Sequence, residues 1–577
     1  MNITRWVLTS ILGLVYIIPV YAEKADSVTQ FGITWTFDKE YEVGQFVNGD
    51  YWVVGPVMIA SVSPQPGPPQ IDETVRFNYI RDFINQYGDT ELQNDTTMRN
   101  GSMVNPNWGP GQGYDSGSKS YNSSLSISFP YTLNPSESLI STVSHTTLPN
   151  TPLLPFYSEL SRSVLKTAAI LTCLDSVPPD DAFRPPYAST WKPLYRAGDL
   201  KRELLPNLEP VSRTPGIAEM EKLVERPWLD HINNWMLGGT APTENLASYG
   251  REFCRTVSLV GLRLMLEGTE AEKEKLLLGF VQLGIDLHGL RKAGAMWHMG
   301  GGITSGRKWP VVFASLLLDD EEMKIFPGAS EFHEDQQTYY GVSWTGETAL
   351  WQMVKHHGTA PMYEHRNPAD YSDIDYRSHS YRHCCTGLAW IGEALGALLI
   401  EARQTWNHDA FFDYCDRFMN EPTDPYREAG LSYNLLGKAF DPFVQNMWDA
   451  YRDSVPEQPG ATNNMKWLTY YYTGDENAPS STSGEHRDLH QMILSQNHPN
   501  PFHSQTNISY YVQQAGSVEL SIRDMDGRKI ATLVNGHRAA GHQSCHWDAS
   551  SCDGGVYFCT LKTSSGYSQT IKMVLFQ

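Results

Sequence analysis

The chain has 577 residues, 41% hydrophobic and 19% charged, which supplies apolar material for a sizeable core and excludes wholesale disorder. Lys and Arg number 44 against 65 Asp and Glu, a formal net charge of −21, and no basic stretch interrupts that acidity, so no nucleic-acid partner is expected. At ~150 residues per domain the length argues for about three or four units.

Residues 1–22 place one cation, Arg5, ahead of an apolar run from Trp6 to Val20, and Ala22 offers a small residue at a cleavage position. This pattern predicts a secretory signal peptide, too short for a comfortable membrane span. Eight cysteines follow, at 173, 254, 384, 385, 415, 545, 552 and 559, with no CxxC and no zinc-type spacing. Most are expected to be buried or idle thiols, with room for a bridge among the last three.

From 30 to 187 the sequence reads as an antiparallel β-rich domain. Aromatic and β-branched runs at 33–37, 51–54 and 124–129 are separated by Gly, Pro and Asn turns, and 100–118 reads as a long surface loop. From 188 to 455 apolar residues recur at helical spacing over 216–237, 244–268, 270–291, 308–323, 345–357, 383–404 and 407–420. Successive helical hairpins of this kind predict an α/α toroid-like domain with a central cleft. Residues 456–493 thin into a Pro/Gly/Ser/Thr linker. Residues 494–577 alternate in short strands at 508–512, 517–523, 529–533, 542–547, 555–561 and 569–576, the pattern of an immunoglobulin-like sandwich.

That tail opens with Leu494-Ser495-Gln496-Asn497-His498-Pro499-Asn500-Pro501-Phe502 and continues through Asp526-Gly527-Arg528, Ala540-Gly541-His542, Trp547-Asp548, Gly555-Val556-Tyr557-Phe558 and Lys572-Met573-Val574-Leu575. It resembles the FlgD-like, type A C-terminal sorting domain of the type IX secretion system over its whole length. His498 stands where Tyr is usual, His503 where Asn is usual, and three cysteines are unusual. The resemblance implies an address and not a chemistry: Sec export, then passage across the outer membrane by the type IX machinery, leaving the protein secreted or at the cell surface.

Chemistry belongs to the helical region, where four polar, aromatic, Gly-punctuated segments break the periodicity. They contain Asn234 and Trp235; Trp297, His298 and Arg307; Tyr339 and Tyr340; and Tyr381 and Arg382. In β-elimination of a uronic acid, Asn, Arg or His neutralises the carboxylate, His or Tyr removes the C5 proton, and Tyr protonates the leaving oxygen. The catalytic residues expected are His298, Tyr339, Tyr340 and Tyr381. The substrate-binding residues expected are Asn234, Trp235, Trp297, Arg307 and Arg382, with no metal and no cofactor. The helical region is loosely similar to toroidal polysaccharide-active enzymes.

The expected function is therefore a secreted enzyme cleaving an extracellular polysaccharide, by elimination ahead of hydrolysis. A glycoside hydrolase would pair carboxyls drawn from Asp230, Glu252, Glu334, Asp335, Asp375 and Asp409. A non-catalytic glycan-binding or adhesion protein is the third alternative.

Overall fold

The structure is a computed structural model. It describes residues 22–68, 97–118, 121–146, 163–232, 241–246, 250–326, 331–353, 362–421, 438–456, 458, 493–494, 497, 502–512, 516–524, 528–539, 541–563 and 568–576. The signal-peptide segment up to residue 21, Asn234, Trp235, most of the 456–493 linker and part of the 494–502 motif lie outside the described residues. The chain divides into two compact units, Met1–Asn464 and Met465–Gln577.

In the first unit an eight-stranded sheet is built from β1 (Glu23–Gln30), β2 (Ile33–Gln45), β3 (Tyr51–Val54), β4 (Val57–Ser63), β5 (Ser102–Val104), β6 (Tyr131–Leu133), β7 (Ser138–Ser144) and β8 (Leu165–Leu174). Its order is β5-β7-β8-β3-β2-β4-β6, with β1 added on β2. The pairing departs from the expected antiparallel pattern at one place: β3 and β8 run parallel, Tyr51 opposite Leu171. The chain builds β4 to β7 before returning to β3, and only a long connection of that kind allows parallel neighbours.

β8 is buried on both faces. Leu165, Ala168 and Ile170 join the helical core, while Ala169, Leu171 and Cys173 pack with Ile33, Trp35 and Phe37 on the other side. This double burial accounts for its nearly unbroken small and apolar sequence. The expected strand at 124–129 does not form. Asn122 Oδ1 accepts the Ser124 N–H (3.0 Å) and caps a single 3₁₀ turn instead.

The helices are α1 (Ile217–Val224), α2 (Gly250–Leu264), α3 (Glu270–Lys292), α4 (Lys308–Leu317), α5 (His333–Gln337), α6 (Asp373–Tyr381), α7 (Gly387–Leu399), α8 (Arg403–Trp406), α9 (Asp409–Asn420) and α10 (Pro442–Tyr451). The Thr269/Glu272 capping box starts α3, and Arg291 and Lys292 occupy its last turn, the charge order the helix dipole favours. Every residue from Leu276 to Leu290 is buried, so α3 is an interior helix, packed on α1 and α4, while α2 packs on α7.

The helix expected over 345–357 is corrected: Ala349–Trp351 is a strand, β10, paired antiparallel with β9 (Thr338–Tyr340). The turn between them, closed by the Gly346 N–H on the Ser343 carbonyl (3.0 Å), makes a hairpin of what reads as helical periodicity. In the other direction, α6 forms within a polar stretch, started by a Ser372/Asp375 capping box.

The second unit has a three-stranded sheet of β11 (Ile493–Leu494), β12 (Gln505–Val512) and β15 (Gly541–Asp548). Its four-stranded sheet is ordered β14 (Lys529–Arg538), β13 (Gly516–Arg523), β16 (Gly555–Thr563), β17 (Ser568–Leu575). Both sheets contribute to one core in which Ile508, Leu520, Cys559 and Met573 are fully buried and Trp547 meets Tyr557 edge-on (5.3 Å). All six strands anticipated in the tail are present, five of them longer by one to five residues and the last shifted by one to Ser568–Leu575.

Candidate functional site

Asp230, on the segment after α1, is held by three donors. Arg307 gives Nε (3.0 Å) and Nη2 (2.8 Å), one to each carboxylate oxygen, and Trp297 gives its indole N–H (2.9 Å). The guanidinium is fully buried, lies 4.1 Å from the centre of the Phe253 ring and donates Nη1 to the Ser305 carbonyl (2.7 Å). Trp297 is also fully buried and stacks on Phe332 (5.3 Å). The polar atoms of these two residues, expected to bind substrate, are thus committed to partners inside the fold, and they anchor both ends of the segment 298–306. Beside them His231 sits between Tyr114 and Tyr187, and burial holds its imidazole near 3, neutral at ordinary pH.

The same segment is gripped from α5. Thr304 Oγ1 donates to the His298 carbonyl (2.6 Å) and bonds His333 Nδ1 (3.0 Å). Glu334 Oε1 accepts from Ser305 Oγ (3.1 Å) and from the Gly306 N–H, and Gln336 Oε1 accepts the Met299 N–H (3.0 Å). One residue on, Asp335 pairs with Lys308 and accepts the Trp406 indole N–H (2.9 Å). All five α5 residues are buried, so this helix serves as a clasp on the glycine segment.

Burial pushes the Glu334 carboxyl up to about 7 against the Gly306 bond, and pushes Glu393 of α7 well above its usual range, with Glu334 adding to the effect. Within this tightly held segment the His298 side chain is exposed.

The segment also abuts the junction of α6 and α7, a π turn over Arg382–Thr386. Arg382 is fully buried, donating Nε to Tyr414 Oη (2.7 Å) and pairing with Glu364 (3.0 Å) and Glu421; Arg417 joins the same two glutamates (3.0 and 2.8 Å). Two guanidinium groups and two carboxylates thereby balance in the interior. Cys384 and Cys385 form a disulfide, while the three cysteines of the tail, where a bridge was open, are free thiols.

Tyr381 precedes this turn and is half-buried. Tyr339 and Tyr340 lie on β9, which follows α5. Tyr339 is buried with its hydroxyl 3.3 Å from His365 Nε2; Tyr340 is half-buried and donates to Asp413 Oδ2 (2.5 Å). Burial raises all three phenols, which keeps them protonated.

The carboxyls considered for hydrolysis are all buried. Glu252 lies between Arg251 (3.0 Å) and Arg255 (3.1 Å), Asp375 caps α6 and pairs with Arg366, and Asp409 pairs with Arg403 (2.9 Å). Among the described residues no group of three or more His, Cys, Asp or Glu side chains is arranged to hold a metal ion, and no helix is long and apolar enough to cross a membrane.

Residues overlooked in the sequence include Glu393, whose signal is one acid inside the apolar helix GLAWIGEALGALL, and the adjacent pair Cys384-Cys385.

The second unit packs two β-sheets over one core. Residues 497–576 match the family described as "Secretion system C-terminal sorting domain". A search of curated proteins returns no match to the chain. The tail directs export through the type IX system to the cell surface or extracellular space, and the type IX machinery is its partner.

Proposed function

We propose that the exported first unit cleaves an extracellular polysaccharide by β-elimination, with His298 as the base and Tyr340 or Tyr381 as the acid that protonates the leaving oxygen. The observation that carries this reading is the exposed imidazole of His298 on a backbone segment locked to the core at Asp230–Arg307 and at α5. A base held on such a rigid support meets the positional demand of proton transfer. The phenols, kept neutral by burial, suit the acid role and not the base role.

In this reading Arg307, Arg382 and Trp297 are positioning residues, Tyr339 supports its neighbour, Asn234 and Trp235 contact the sugar chain, and the helix pairs form a toroid-like ring around the cleft. Export by the tail supports the assignment by bringing the passenger to extracellular polymers.

Incubation with a panel of uronate-containing glycans is expected to give unsaturated products absorbing at roughly 235 nm. His298→Ala should lower that rate by about 100-fold or more without moving the melting temperature. Of Tyr340→Phe and Tyr381→Phe, the one that removes the acid should lower it as far, and Tyr340→Phe also loses its bond to Asp413. New reducing ends without the absorbance would instead indicate a hydrolase, and retention on glycans without products a binding protein.

A further inference from the structure

Adjacent cysteines joined through their side chains close a small ring around the peptide bond they share, and Cys384–Cys385 is such a ring. It lies in the π turn, whose closing bond runs from the Gly387 N–H back five residues to the Arg382 carbonyl. π turns cluster at functional places in proteins. Here the carbonyls of both cysteines meet other elements.

The Cys384 carbonyl accepts Nη1 of Arg251 (2.7 Å), in the first turn of α2, and Arg251 also holds Glu252 (3.0 Å). The Cys385 carbonyl faces Gly302, at φ +84°, so closely that a β-carbon on Gly302 would collide with it. The start of α2, the 298–306 segment and the α6–α7 junction therefore meet on this one dipeptide. Cys384 is half-buried and Cys385 buried. The other six cysteines are free thiols.

The tail sends this chain from a compartment that keeps thiols reduced to one that does not. We infer that the Cys384–Cys385 disulfide is a latch, closed by oxidation on export, that fixes the 298–306 segment and the start of α2 in their working positions. Closure is a thiol–disulfide exchange: the two thiols lose two protons and two electrons, the Sγ–Sγ bond forms, and the disulfide of an oxidising protein or small molecule is cleaved to two thiols.

Opening the ring frees the side-chain torsions and the intervening peptide unit. The two carbonyls then lose their fixed relation, and the elements docked on them loosen together. The latch would control turnover only if the polysaccharide reading holds; the loosening itself requires no substrate.

The test is amide hydrogen exchange, read by mass spectrometry, on the full chain recovered from culture medium. It is compared before and after reduction by a phosphine, with a gain of two hydrogens on the 384–385 peptide marking complete opening. Exchange over 298–306 and 250–252 should accelerate about 10-fold or more, with β2, β8 and the tail strands unchanged and with reversal on reoxidation. The double variant Cys384→Ser/Cys385→Ser should match the reduced chain; if it does not fold, the reduction and reoxidation cycle decides alone. Unchanged exchange in those segments after full reduction, loss of protection throughout the first unit, or recovery of a secreted chain with both thiols free would each overturn the proposal. Loss of turnover without a change in exchange would overturn it while leaving the enzymatic reading intact.

Discussion

Asp230 draws three donors into a dry interior, and its negative charge is what allows Arg307 to stay there. Asp230→Asn keeps the shape and strands the guanidinium, so it is expected to cost about 3–5 kcal/mol in urea unfolding. Glu334 works in the opposite sense. Its carboxyl is raised from 4.5 to about 7, so the folded state holds the proton more tightly than the unfolded chain does. The stability linked to that proton is complete below about pH 4.5 and lost as pH climbs through about 7, an effect on the order of 1–3 kcal/mol. Glu334→Gln keeps the acceptor for Gly306 and cannot ionise; its melting temperature should fall less than that of the natural chain between pH 5 and 7.

At this scale the sequence is informative about residue types and poor about partners. Histidine, arginine and tyrosine stand out at 298, 307, 339, 340, 381 and 382. Whether each faces solvent or a carboxylate far along the chain, as Arg307 faces Asp230, is decided by tertiary contacts that no local pattern encodes.

The 298–306 segment shows what an element without regular structure needs in order to stay rigid. Gly306 has φ +88°, and a β-carbon there would strike the backbone of Cys254. Gly306→Ala should therefore lower stability by about 1–3 kcal/mol, whereas Gly300→Ala, which meets open space, should stay within about 0.5 kcal/mol; denaturant midpoints compare the two. Strands with strict alternation and helices with long apolar stripes are legible from their residues, as the tail and α3 show. The misreadings fall where a short cap or turn wins. Asn122 ends the extended run before 124–129, and the turn at Gly346 makes Ala349–Trp351 one arm of a hairpin. Conversely, α6 carries little apolar periodicity and forms because Ser372 and Asp375 cap it and Asp375, Ser378 and His379 turn inward.

On the scale of the molecule, address and passenger are separate compact units. Deleting 497–576 should leave the first unit folded and trap it inside the cell; fractionation of cells and medium, with thermal melting of the retained chain, checks both halves of that expectation. The address is legible from the amino-acid order alone, because its turns and closing strand are spelled in contiguous motifs. No such contiguous motif spells out what the passenger does.

β8 carries a practical corollary for anyone wishing to dissect the passenger. Since Leu165, Ala168 and Ile170 are shared property of sheet and helices, a cut at residues 187/188 would leave one fragment with a bare greasy flank and the other with helices lacking their floor. Neither piece should be soluble by itself. Chimeras and trimmed versions must transplant 23–456 as an indivisible cassette.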